Sequence, residues 1–374
     1  MGQSIGKNRA ARIAYGFDDV SLVPGNQTLN PLEVNTSFSI QNDNGTSIDF
    51  DIPIIASPMD GISDARFCTE MGRLGGLSVL NLDGIQTRYQ NPGAIIEQIV
   101  CKSDDKITAA LQKIYTEPVK VELITKRIKE LKDAGIRVAV SALPQKAERY
   151  MEYLVEAGAD ILVIQDTVIS ANHVSSQYQP FNIGKICSKS PLPVIVGNTV
   201  NYDVAYQLME AGAAGILVGV GPGAASTSNC VLGLNIPQIT ATIDCSAARE
   251  DFFKKYSKYI PIITDGGMKS GGDICKALAA GADAVMLGSA FASATEAAGK
   301  GHYWGMVTPN IYLPRNKRVN VGLGGALKSI LYGPSTVDDG SDNLVGALTS
   351  CMGLVGAKSI KEFHKTEIII SQNT

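Results

Sequence analysis

The run Val220-Gly221-Pro222-Gly223-Ala224-Ala225-Ser226-Thr227-Ser228-Asn229-Cys230 holds the residues best placed to do chemistry in this chain. It follows the apolar segment Gly215 to Val218. Its small residues leave backbone amides and carbonyls bare, so the loop can wrap closely around a ligand or an ion. Ser226 offers a hydroxyl, which is a weak nucleophile without a positioned base, whereas a thiol is already a few per cent thiolate near neutral pH. No neighbouring His or Lys supplies that base, and Cys230 lies four residues on. Ser226 therefore serves either as a nucleophile or as a plain hydrogen-bonding group toward a ligand.

Eight short apolar segments must position this loop. They are Ile52 to Ala56, Gly76 to Leu80, Arg137 to Ser141, Ile161 to Ile164, Val194 to Val196, Gly215 to Val218, Pro261 to Thr264 and Ala284 to Leu287. Continuous apolar runs of this length are typical of parallel strands covered on both faces. Helical patterns lie between most of them: Ser63 to Arg73 with Ser63 as N-cap, Glu122 to Ala134, Lys146 to Ala157, Asp203 to Ala211 and Asp273 to Ala280. Ala134-Gly135, Ala157-Gly158-Ala159, Ala211-Gly212-Ala213 and Ala280-Gly281-Ala282 each stop a helix just ahead of a strand, where glycine accepts a left-handed cap. Eightfold strand–helix alternation predicts an α/β fold, a (β/α)8 TIM barrel, with a doubly wound sheet as the alternative.

A barrel carries its active site at the C-terminal ends of its strands. Here those ends are Ser57, Asn81, Asp166, Asn198, Gly219 to Ser226, Asp265 and Ser289, so polar groups converge on one mouth. Asp265-Gly266-Gly267 and Gly288-Ser289 close the seventh and eighth strands, where barrels of this kind bind phosphate through backbone N–H groups. Asp265 suits ribose hydroxyls. Asp166 ends an apolar strand, and a carboxylate there must be paired or solvated. Each of these residues taken alone is also an ordinary strand-end cap or turn former. Two departures break the repeat: a helical excursion over Asp83 to Lys120, and a long flap-like segment, Ala298 to Gly346, after the eighth strand. The flap-like segment is rich in Gly, Pro and basic residues and suits a lid or an oligomer contact.

Composition limits the function classes. The 374 residues are 45% hydrophobic and 18% charged, enough for a large core in one domain spanning 1–374. A net charge of −3 gives no reason to expect a nucleic-acid surface or an anionic membrane partner. No apolar run approaches the ~20 residues of a membrane span, and the N-terminus lacks an apolar signal region. Seven cysteines without framework spacing predict reduced thiols and a cytoplasmic location. The histidines, His173, His302 and His364, are too scattered to suggest a multi-histidine metal site.

The motifs together resemble the IMP dehydrogenase/GMP reductase family. The resemblance is carried by Ala56-Ser57-Pro58-Met59-Asp60, Gly197-Asn198, Gly221-Pro222-Gly223, Ile263-Thr264-Asp265-Gly266-Gly267 and Val285-Met286-Leu287-Gly288-Ser289, with the opening Ala14 to Pro24. Asn81 to Tyr89, His302-Tyr303-Trp304-Gly305-Met306 and Asp338-Asp339-Gly340 are similar to a compact branch without the CBS module. The resemblance implies NAD-dependent oxidation of IMP to XMP in GMP biosynthesis. It implies Ser57, Asp265, Gly267, Gly288 and Ser289 as substrate residues, and Asp166, Asn198 and Gly219 toward the nicotinamide cofactor. It further implies a potassium site on the carbonyls of Gly221 and Gly223, and a homotetramer or larger homo-oligomer. Ser226, followed by Thr227, stands where the family keeps its catalytic cysteine. Ala224 stands where many relatives keep a phosphate-binding serine. The family's water-activating arginine–tyrosine pair is not matched in place, though Tyr312, Arg315 and Arg318 lie nearby. Two rival readings remain: a GMP reductase-type enzyme, and a noncatalytic barrel that binds purine nucleoside monophosphates.

Overall fold

The computed structural model describes residues 2–42, 45, 47–177, 179–307, 312–313 and 317–371. Eight parallel strands close into a barrel: β1 (Ile54–Ala56), β2 (Leu77–Asn81), β3 (Ala139–Ala142), β4 (Ile161–Gln165), β5 (Val194–Thr199), β6 (Gly215–Val218), β7 (Ile262–Asp265) and β8 (Ala284–Leu287). Each strand pairs with its neighbour in sequence, and β8 returns to β1 through Met286 opposite Ile55. The expected TIM barrel is therefore the observed fold, and the doubly wound sheet is not. Strand starts differ from expectation by one or two residues at β1, β2, β3 and β7.

Period-two alternation sorts the strand side chains. Ile55, Val79, Ile161, Val163, Ile195, Leu217, Ile263 and Met286 fill the barrel interior. Their neighbours Leu80, Val140, Leu162, Ile164, Val196, Ile216, Val218 and Ile262 face outward onto helices. An antiparallel hairpin, Phe38–Gln41 with Ser47–Phe50, plugs the N-terminal end of the barrel, where Phe38 and Phe50 stack with centroids 5.1 Å apart. The interior is thus packed below, and the C-terminal strand ends open to a cavity.

The helices of the outer layer include α1 (Ala65–Arg73), α2 (Pro92–Val100), α3 (Asp104–Tyr115), α4 (Val121–Asp133), α5 (Pro144–Ala157), α6 (Ile183–Lys189), α7 (Tyr202–Glu210), α8 (Ser228–Leu232), α9 (Gln238–Tyr256), α10 (Gly271–Ala279), α11 (Ser289–Ala292), α12 (Leu327–Tyr332) and α13 (Leu344–Val355). The helix stops behave as expected: Gly135, Gly158, Gly212 and Gly281 all have φ between +76° and +106°. One cap differs. Asp64, not Ser63, caps α1 by accepting from the Phe67 N–H at 2.8 Å. Ser63 instead donates to the Ser57 carbonyl at 2.8 Å, folding the loop after β1 back on itself.

The excursion after β2 is helical, as expected, and consists of α2 and α3. In the segment after β8, β9 (His302–Trp304) pairs antiparallel with β10 (Arg318–Asn320). Within the expected basic run, Pro314, Arg315 and Asn316 lie outside the described residues. Arg318 faces the excursion, with Nη1 donating to the Ile99 and Val100 carbonyls and Nη2 to Asp104. It neutralises the C-terminal end of α2 and is not turned to the barrel mouth. The C-terminal strand Ile368–Ile370 pairs with Val20–Leu22 of its own chain.

Candidate functional site

The mouth of the barrel opens into one cavity. It is lined by Ser57, Asp166, Asn198, Gly219, Gly221, Gly223, Ser226, Thr227, Asp265, Gly267, Gly288 and Ser289, whereas Asn81, expected at the same mouth, does not line it because its side chain is engaged by Asp60 and the Asp83 N–H. The ends of β1, β4, β5, β6, β7 and β8 bring the lining residues there.

The floor is a carboxylate held by two amides. Asp265 Oδ2 accepts from Asn198 Nδ2 at 2.8 Å and Gln165 Nε2 at 3.0 Å, and Gln165 Nε2 also donates to Asn198 Oδ1 at 3.1 Å. No cation pairs with Asp265 among the described residues. Desolvation pushes its pKa up to about 6, against the two hydrogen bonds, which pull it down. Part of its surface stays open to the cavity, where hydroxyl donors would satisfy it.

The opposite wall is formed by Gly267, Gly288, Ser289 and Tyr303. Gly267 has φ +84°, and a side chain there would press on Pro222 and Phe17. Ser289 opens the short helix α11, so its N–H has no intrahelical acceptor. The Tyr303 hydroxyl sits beside Ser289, buried and without a satisfied partner among the described residues. A buried orphan hydroxyl costs roughly 1–3 kcal/mol unless a ligand completes it.

The Gly221 loop connects the two walls. Ser226 N–H donates to the Gly223 carbonyl at 2.9 Å, and Ser226 Oγ accepts from the Ser228 N–H at 3.3 Å. No His, Lys or carboxylate contacts Ser226 Oγ among the described residues. Gly221, at φ +86°, lies against the Leu234 carbonyl and the Asn235 side chain, so oxygen atoms gather around it. On the far rim, Asp166 Oδ1 accepts from the Thr167 N–H at 2.6 Å.

Several residues of the site escaped the sequence. Gln165 was visible only as a strand end. Gln238 clamps the ends of β6 and β7, its Nε2 donating to the carbonyls of Val218 at 3.1 Å and Asp265 at 2.8 Å. It fixes Gly219, where any side chain would strike the Asp265 carbonyl and Gln238. Gln238 sits at the start of α9, and no spacing rule marks it. Met59, Met268, Tyr303, Gly305 and Met306 complete the wall.

A (β/α)8 barrel packed at its N-terminal end, with a polar cavity at the C-terminal ends of its strands, defines the chain as a TIM-barrel protein with its candidate site at the mouth. The comparisons then fix the family: residues 14–374 match the IMP dehydrogenase / GMP reductase domain, and the chain belongs to that family of oxidoreductases. It is 37% identical to an uncharacterized oxidoreductase of Mycolicibacterium smegmatis, over 98% of this chain and 99% of that one. It is 30% identical to the inosine-5'-monophosphate dehydrogenase of Cryptosporidium parvum, over 96% of this chain and 92% of the relative. The crystal structure of an IMP dehydrogenase/GMP reductase-like protein from Corynebacterium glutamicum superimposes with a TM-score of 0.91 at 35% identity, covering 98% of this chain and 97% of that one.

Proposed function

We propose that this chain, acting as one barrel domain over residues 1–374, binds IMP and oxidises it with NAD+. The balanced reaction is IMP + NAD+ + H2O to XMP + NADH + H+. The observation that carries the reading is the polarity of the cavity, with an orphan tyrosine hydroxyl beside Ser289 at one end and the uncompensated Asp265 carboxylate at the other. A nucleoside monophosphate has the matching order of phosphate, ribose and base. Gly267, Gly288, Ser289 and Ser57 hold the phosphate side, and Asp265 accepts the ribose hydroxyls.

Ser226 then faces the purine. It is the candidate nucleophile, with Thr227 beside it. NAD+ would supply a hydride acceptor, and the half-exposed Asp166, with Asn198 and Gly219 on the same wall, fits its nicotinamide nucleotide. A potassium ion fits the Gly221 and Gly223 carbonyls, because hard oxygen donors already crowd Gly221. The exposed Val231, Leu232 and Leu234, on and just after α8, suit a contact in a homotetramer or larger homo-oligomer. Seven cysteines without framework spacing suit a reducing cytoplasm. No helix among the described residues is long and apolar enough to cross a membrane.

A second reading is favoured by the lack of a base at Ser226: a barrel that binds purine nucleoside monophosphates without turnover. The test is NADH formation from IMP, NAD+ and potassium, beside IMP binding by calorimetry and a Ser226→Cys variant. We expect XMP and NADH in equal amounts, slowly in the natural chain and at least ~100-fold faster in the cysteine variant. IMP binding without NADH in the natural chain, with activity only in Ser226→Cys, selects the binding barrel. NADPH-dependent loss of GMP selects the reductase. No binding of any purine nucleotide ends the reading.

A further inference from the structure

Asp60 is a buried carboxylate that the proposed chemistry does not use. It follows Ser57-Pro58-Met59 on the loop after β1 and is 2% exposed. Its Oδ1 accepts from the Ile85 N–H at 2.9 Å. Its Oδ2 accepts from the Tyr115 hydroxyl at 2.5 Å and more distantly from Asn81 Nδ2 at 3.4 Å. The Tyr115 oxygen in turn accepts from Trp304 Nε1–H at 2.7 Å. Gly84 lies so close that any side chain there would overlap both Asp60 oxygens. The three linked side chains come from the loop after β1, from α3 of the excursion, and from β9 after the barrel. None is near another in sequence.

β9 makes this chain of bonds relevant to the cavity. Successive side chains of a strand point to opposite faces. Tyr303 lines the cavity beside Ser289, while Trp304 turns back to Tyr115, and Gly305 and Met306 return to the cavity wall. Wherever the indole is seated, the tyrosine hydroxyl must follow. Arg318 ties the partner strand β10 to the end of α2, so both strands of the ribbon are fixed to the same excursion.

Resting on the nucleotide reading above, we propose that Asp60, Tyr115 and Trp304 form a positioning chain through which the α2–α3 excursion sets the anion wall of the cavity. Tyr115 is the central positioning residue, because its hydroxyl donates to one partner and accepts from the other. A buried ionic group is a costly way to fill a core, and its best-attested use is to fix one geometry over others. The chain also responds to protons. Burial pushes Asp60 up to about 6, with the Tyr115 and Ile85 bonds and the more distant Arg88 pulling the other way. The groups facing it are Tyr115 from α3, Asn81 from β2, the Ile85 and Gln86 amides, and Arg88, whose guanidinium lies 5.6 Å from the Tyr115 ring. Once protonated, Asp60 no longer accepts on both oxygens, and the Tyr115–Trp304 bond loses its fixed acceptor.

Trp304 is the sole tryptophan of the chain, so its fluorescence reads the positioning chain directly. The experiment compares the natural protein with Tyr115→Phe and Asp60→Asn, with Asp265→Asn as a control. Two quantities are measured: Trp304 emission against pH without ligand, and the Kd for IMP and GMP at pH 8. We expect an emission transition with a midpoint near 6 that survives Asp265→Asn and is lost in Asp60→Asn. We expect IMP and GMP to bind about 10-fold more weakly to Tyr115→Phe, in line with one lost hydrogen bond on a charged group. His302 on β9 is left in place by Asp60→Asn, so a transition that persists in that variant overturns the assignment. A folded Tyr115→Phe with unchanged Kd and a lowered Tm reduces the chain to a stabilising contact and overturns the proposal. If the natural protein binds no purine nucleotide, the function reading fails, and the ligand-free emission transition alone decides whether the chain exists as a responsive unit.

Discussion

The two ends of the barrel treat a buried carboxylate in opposite ways. At the bottom, Asp283 just before β8 is surrounded by protein donors. Its Oδ2 accepts from Arg249 Nη1 at 2.7 Å and the Ile262 N–H at 2.8 Å, and its Oδ1 accepts from the Tyr259 hydroxyl at 2.6 Å. At the mouth, Asp265 at the end of β7 has only two neutral amides and a cavity. The bottom charge is neutralised by the chain itself, with Arg249 2% exposed. The mouth charge has no cation beside it among the described residues and faces the cavity. Two carboxylates at opposite ends of adjacent strands thus separate the part of the fold that stabilises from the part that binds.

The contrast is broken most forcefully at the bottom. Removing the guanidinium in Arg249→Met strands Asp283 without its cation, and truncating one partner of a buried pair costs about 3–5 kcal/mol. Urea denaturation should show that loss. Binding of IMP to the folded fraction should stay within about twofold of the natural value, and a large change in Kd would mean that the two ends are not separate.

At the mouth the sign reverses. Asp265→Asn should weaken IMP binding about 100-fold, because it removes a charged acceptor, yet it should stabilise the ligand-free protein. The folded-state value of about 6 lies above the ordinary 3.8, so ionising Asp265 disfavours the fold. That burden is complete above pH 6 and absent below about 4, and amounts to roughly 1–3 kcal/mol. Thermal melts should therefore place the variant above the natural protein at pH 8, with the gap closing as pH falls toward 4. A variant less stable at pH 8 would show that Asp265 is a structural group like Asp283.

The smallest effect is expected at Tyr303→Phe. The hydroxyl has no satisfied protein partner, so its loss should leave Tm unchanged or slightly higher. IMP should bind about 5–10-fold more weakly, through one missing bond to the phosphate. Equal affinity for inosine in both proteins would sharpen the assignment to the phosphate end.

Much of the molecule was legible before the fold was known. The eight strands announced themselves as apolar runs ended by polar residues, and the helix stops by glycines whose backbone later proved left-handed. Twelve of the residues chosen at or after strand ends reach the cavity, because a barrel delivers its C-terminal strand ends to one mouth, while Asn81 is held back by Asp60. The departures were local or distant competitions. Ser63 looks like a cap by type, but its hydroxyl is claimed by the Ser57 carbonyl and Asp64 takes the helix. Arg318 sits in a basic run that suggested the mouth, yet the free carbonyls at the end of α2 hold it.

The sequence by itself determined the architecture, the location of the mouth and the chemical types gathered there, since strand periodicity and backbone-permissive glycines are properties of short stretches. Tertiary structure alone decided which of those groups are satisfied. Gln165 meets Asp265 across 100 residues, and Trp304 meets Tyr115 across 189. The raised values of Asp60 and Asp265 arise from desolvation, which exists only once the chain has closed around them.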